Sequence, residues 1–196
     1  SNGNGEMDAG EEPIQNAALT VNGNRAPAKT NADGLAWLEH LPIRQHLDIA
    51  VDTQTLEDPY WIPLRKGVSL VPRPGRVAEL DFPIILTSEI DGTVYLVDRT
   101  TRRGIGDVVI ELLDTSRKLV TTVKTSSDGY YIVPAVPMGR FYLRVSPEQV
   151  KQFGLLDPGV REIKIQPDGK FINGVDFSLS KRSAGPVPDP SRQESP

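Results

Sequence analysis

The chain has 196 residues, a formal charge of −4 at pH 7 and no cysteine. That acidic balance argues against binding to a phosphate backbone, and the missing thiols exclude disulfides, thiolate metal sites and cysteine nucleophiles. No apolar run approaches the ~18 residues of a membrane-spanning helix, and Gly and Pro, at 17 each, divide the chain into short segments.

Taken in chain order, the first half carries β-type blocks at 17–21, 47–52, 68–72 and 80–84, with Tyr60-Trp61 in a proline-flanked connection. The second half has short β-branched or aromatic runs at 93–97, 108–113, 119–125, 130–133, 141–145, 160–165 and 171–179. Turn signals separate them, including Asp91-Gly92, Asp128-Gly129 and Pro167-Asp168-Gly169. Asp-Gly before Tyr130 predicts a tight hairpin with positive φ. A short helix is predicted over 147–153, with Ser146 as N-cap, Pro147 at the first position, Gln149 completing a capping box and Gly154 ending it. The proline-rich stretch 181–196 has almost no apolar residues and reads as a solvated tail.

The two halves are copies. Thr30-Asn-Ala-Asp-Gly-Leu-Ala-Trp37 recurs 95 positions later as Thr125-Ser-Ser-Asp-Gly-Tyr-Tyr-Ile132, and Leu80-Asp-Phe-Pro-Ile84 recurs as Val175-Asp-Phe-Ser-Leu179. Val68-Ser-Leu-Val-Pro72 reappears between them as Ile163-Lys-Ile-Gln-Pro167. The predicted fold is therefore all-β: two tandem seven-stranded-type sandwiches of Greek-key or prealbumin-like form. The first lacks its opening strand, because 17–21 already corresponds to 108–113, and the chain is expected to be a fragment with an unpaired edge there. The expected division is a segment 1–12, sandwiches at 13–86 and 87–180, and the tail 181–196. Leu86-Thr87-Ser88 is the expected linker.

The stretch from Thr125 through Asp128-Gly129-Tyr130 to Val136-Pro137-Met138-Gly139 and Phe141-Tyr142-Leu143-Arg144-Val145 resembles the signature of carboxypeptidase-regulatory-like domains, grouped with Cna-B-type and transthyretin-like sandwiches. The first half resembles it with Arg44 and Gln45 in place of the turn glycine. Val21-Asn22-Gly23 with Thr30–Gly34 and 47–52 is more loosely similar to the C-terminal domains of fimbrial outer-membrane ushers. These resemblances imply a non-catalytic structural or adhesive spacer of an extracytoplasmic bacterial protein, at the cell surface or at the periplasm and outer membrane. They imply a protein partner, either a pilus subunit or other domains of the same polypeptide.

Residues 2–11 resemble the calcium loop that opens Sdr-type B repeats. With the loop's first residue placed just before Ser1, Asn2, Asn4, Glu6, Asp8 and Glu11 take the ligand positions and Gly5 the sharp turn. Calcium is the one cofactor this implies, and Thr100–Gly104 replaces the acidic loop in the second copy. Asp33, Asp128, Asp81 and Asp176 recur in both copies, which marks them as turn and strand residues rather than a catalytic dyad. His40 and His46 are the only histidines, and neither a nucleophile elbow nor a His-x-His pair accompanies them. An enzyme is not expected. Opening strand 90–97 contains no lysine, so no lysine–asparagine crosslink of the Cna-B type is expected either. Trp37 aligns with Ile132 and is expected in the core. Tyr60 and Trp61 have no counterpart and are the candidate contact residues, for a protein partner or, in the alternative reading, a carbohydrate.

Overall fold

The computed structural model describes residues 5–181. It divides into two compact units: Ser1–Glu89 with Pro134–Gly139 and Lys164–Ile172, and Ile90–Val133 with Arg140–Ile163 and Asn173–Pro196. The expected tail falls outside the described residues except for Lys181.

In the first unit β1 (Ala18–Val21), β2 (Asn24–Lys29), β3 (Leu47–Val51) and β5 (Val68–Leu70) form one sheet in the order β2-β1-β3-β5. Asn22 and Gly23, with φ of 50° and 78°, close the β1–β2 hairpin as the Asn-Gly pair requires. A 3-10 turn, Thr53–Thr55, is capped by the Asp52 side chain on the Gln54 N–H. β4 (Trp61–Pro63) pairs with the start of β6 (Ile84–Val97), from Trp61 opposite Leu86 to Pro63 opposite Ile84. The core here is small: Ala17, Ala18, Leu47, Ile49, Leu56 and Ile85 are its buried apolar residues before residue 90.

β6 passes from one unit into the other. In the second unit it runs parallel to β13 (Phe177–Leu179), with Val94 opposite Phe177, and antiparallel to β7 (Arg102–Gly104). β10 (Tyr130–Pro137) is its neighbour on the other side. A second sheet has the order β12-β11-β8-β9, from β12 (Arg161–Ile165), β11 (Gly139–Val145), β8 (Val109–Leu113) and β9 (Leu119–Lys124). Phe141, Leu143 and Val145 face inward from β11 while Arg140, Tyr142 and Arg144 face outward, the period-2 alternation of a half-buried strand. Tyr131, Val133, Ile110, Leu112, Ile90, Val94, Phe177 and Leu179 complete the core.

The duplication extends to individual hydrogen bonds. Thr30 N donates to Ala17 O at 2.9 Å and Thr125 N to Val108 O at 3.0 Å. Thr30 Oγ1 accepts from Ala17 N at 2.9 Å, and Thr125 Oγ1 from Val108 N at 3.0 Å. Asn31 N bonds Leu35 O as Ser126 N bonds Tyr130 O. Positive φ recurs in step, at Asn16 and Asp107, Gly34 and Gly129, and His40 and Ala135. A shared fold imposes these on unlike residues.

Three local readings change. The expected linker Leu86-Thr87-Ser88 lies inside β6: Thr87 and Ser88 are fully buried, Thr87 bonding Tyr60 O through both N and Oγ1, and Ser88 Oγ bonding Lys170 O. Of the run 171–179 only the last three residues are strand, because Gly174 turns the chain at φ 72°. The helix α1 (Pro147–Gln152) forms, but Ser146 makes no side-chain cap and Gln149 does not close a capping box. Gln149 instead serves the adjacent strand, accepting from Val109 N at 2.7 Å and donating to Asp107 O at 3.0 Å.

Candidate functional site

The turn aspartates are engaged by the backbone. Asp128 Oδ1 accepts from Ser126 Oγ at 2.7 Å and from Tyr130 N at 3.1 Å, and the Ser126 hydroxyl is the main reason its carboxyl titrates below the ordinary range. Asp176 Oδ1 accepts from Thr93 N at 2.8 Å and Asp91 Oδ1 from Gly174 N at 3.0 Å. Asp52 is held low by its hydrogen bond from Arg25, whose Nε lies 2.5 Å away, and Asp168 by Lys170. Each carboxylate is stabilised in its ionised form by a donor from the fold, which is the opposite of tuning toward general acid or base work at neutral pH.

Asn2 and Asn4 lie outside the described residues. Asp8 and Glu11 close a small turn: Glu11 N donates to Asp8 O at 3.0 Å, and Glu11 Oε2 accepts from Asp8 N at 3.2 Å. Glu6 is exposed beside them. Among the described residues no group of three or more His, Cys, Asp or Glu is gathered around a common point.

Tyr60 and Trp61 are half-buried. The Tyr60 ring packs on Phe171, centroids 5.0 Å apart and planes at 59°, while its backbone is tied to Asp58 and Thr87. Trp61 is a strand residue paired with Leu86. These contacts give both residues a packing role.

Trp37, by contrast, is 66% exposed. The alignment with Ile132 is sound, but Ile132 is itself 42% exposed, since β10 buries Tyr131 and Val133 and turns 130 and 132 outward. The outward parity of Ile132 was readable from Tyr131 and Val133 flanking it, and it places Trp37 on the surface. With Val21, Ala26, Ala28, Leu38 and Leu41 it lines an open groove of about 230 Å³ between β2 and residues 37–41. Leu35 and Ile43, 58% and 51% exposed, extend this apolar surface. A wider and more polar concavity lies around Thr20, Arg25, Asp52 and Gln54, where the Arg25–Asp52 pair satisfies itself.

No family model and no curated protein matches the chain. Among solved structures, it is similar to GBS52, the minor pilin of the Gram-positive pathogen Streptococcus agalactiae, with 16% identity, a TM-score of 0.46, and coverage of 94% of this chain and 91% of that one. The shaft pilin SpaA of Lactobacillus rhamnosus GG matches with 11% identity and a TM-score of 0.39, over 90% of this chain and 91% of its own. BcpA, the major pilin subunit of Bacillus cereus, matches with 9% identity and a TM-score of 0.38, over 86% of this chain and 56% of its own.

Proposed function

We propose that the chain is a non-catalytic structural and adhesive spacer of an extracytoplasmic bacterial protein, binding a protein partner through the first unit. The observation that supports this most is the exposed apolar surface around Trp37 in a duplicated fold whose carboxylates are spent on its own backbone. A contiguous apolar surface bordered by polar residues is the form of a protein-contact site. Within this reading, the usher-like similarity supplies the finer proposal that the partner is an exported pilus subunit. Two measurements test the function. Protease shaving of intact cells is expected to release peptides of this chain, and recovery only from the cytoplasm would overturn the location. A glycan array is expected to be silent; a hit lost on Trp61→Ala would establish the carbohydrate alternative instead.

Calcium binding by residues 2–11 is a separate proposal resting on the spacing of Asn2, Asn4, Glu6, Asp8 and Glu11. It requires Glu11 Oε2 to exchange the Asp8 N–H for the cation. Amide shifts at Asp8 and Glu11 that saturate with added Ca²⁺ are the expected result; unmoved amides would remove the proposal.

A further inference from the structure

The two copies part at one place. In the second, residues 90–97 of β6 lie between β10 and β13, and Val94 N donates to Gly129 O at 2.8 Å while Val94 O accepts from Ile105 N at 3.0 Å. In the first, the stretches equivalent to β10 and β13 are 35–38 and 82–84, and residues 35–38 and 82–83 belong to no strand. Burial follows. Tyr131 and Val133 are 1% exposed, whereas their equivalents Ala36 and Leu38 are only half-buried; Phe177 and Leu179 are 0% and 1% exposed, whereas Phe82 and Ile84 are half-buried. The groove beside Leu38 is the same incomplete core seen from its edge.

The second copy shows what fits such a place: an extended segment with small or apolar residues at alternate inward positions, as Ile90, Gly92 and Val94 are. Charge adds a further requirement. The segment following that strand in the second copy contains Arg102 and Arg103, whereas residues 5–12 of the first contain Glu6, Asp8, Glu11 and Glu12 and no Lys or Arg. A strand ending beside an acidic segment is favoured by a basic downstream end.

We propose that the first unit accepts an extended peptide strand from another polypeptide along residues 35–38, with alternating apolar residues and a Lys or Arg at its downstream end. Backbone pairing supplies the affinity and the inward side chains the register. This deepens the proposed partner binding and rests on it, but it is tested on the purified chain, so its failure is separable from a failure of surface location. The probe is a fluorescent peptide with the sequence of residues 89–97 followed by two lysines. Saturable binding is expected, with shifts at Leu38 and Phe82 rather than at Val133 and Phe177. Val94→Asp in the peptide should weaken it by at least about tenfold, since the inward carboxylate loses water without gaining a partner. Added salt should weaken the lysine-tailed peptide more than the same peptide without its tail. Equal binding by the Val94→Asp peptide, or absence of saturation, would overturn the proposal. So would shifts confined to Val133 and Phe177, which mean exchange into the second copy, or a concentration-dependent dimer that blocks the peptide, which means a second chain closes the site.

Discussion

Gly129→Ala is expected to cost the second unit about 4 kcal/mol or to prevent its folding, an effect at the upper end for single substitutions. Two independent penalties combine. Gly129 has φ 87°, where an L-residue is strained by about 1–2 kcal/mol. An added Cβ would also meet Val94 O, with Ile105 N at 2.8 Å and the Cα of Gly104 at 2.9 Å, and none of these is the end of a flexible side chain. Val94 is the pivot of β6, bonded through N to Gly129 and through O to Ile105, so relief of the clash would break the ladder that joins the strand to its turn. Gly159→Ala is the control: its φ is 80°, but a Cβ there meets nothing within 4 Å, so only the conformational penalty of about 1–2 kcal/mol remains. Urea unfolding followed by far-UV circular dichroism measures both. Equal losses in the two variants would show that close backbone approach at Gly129 is not what requires glycine.

The contrast between these glycines marks what could be read from the sequence. Asp-Gly at 33–34 and 128–129 identified both hairpins, since a tight turn with positive φ leaves few other choices, and the 95-residue offset followed from them. All-β architecture was legible for the same reason: short alternating runs between punctuating turns admit little else. What escaped were residues whose character depends on a partner distant in sequence. Thr87 and Ser88 looked like linker residues because their hydroxyls are polar, yet each is buried once a carbonyl, Tyr60 O or Lys170 O, accepts its proton. Trp37 looked like core because it is large and apolar; only its parity against Tyr131 and Val133 puts it outside. Ser146 and Gln149 matched a capping motif, but Gln149 gains more from the unpaired Val109 N–H of the neighbouring strand. Candidate contact residues were the least legible, because exposure belongs to the folded surface.

Tyr131→Phe isolates one buried hydroxyl. The ring is 1% exposed, and its Oη donates to the Val175 carbonyl, fastening β10 to the segment that leads into β13. Removing the oxygen leaves that carbonyl without its donor, which costs about 1–3 kcal/mol for a buried group, while the unchanged ring preserves the packing. Tyr131→Ala would add the loss of the ring and is expected to cost about 3–5 kcal/mol. The hydroxyl also carries a pH dependence. Burial, with the nearby carboxylates of Asp176 and Asp91, pushes its ionisation well above the ordinary value of 10.0. An unfolded chain would ionise this tyrosine near its ordinary value, whereas the folded one retains the proton. The stabilisation is therefore complete below the unfolded pKa and falls as pH rises through and beyond it. The wild-type midpoint in urea should drop between about pH 9 and about pH 11, and the drop should be smaller in Tyr131→Phe, which has no proton to lose there. Parallel curves for the two proteins across that interval would mean that other tyrosines or lysines account for the alkaline loss.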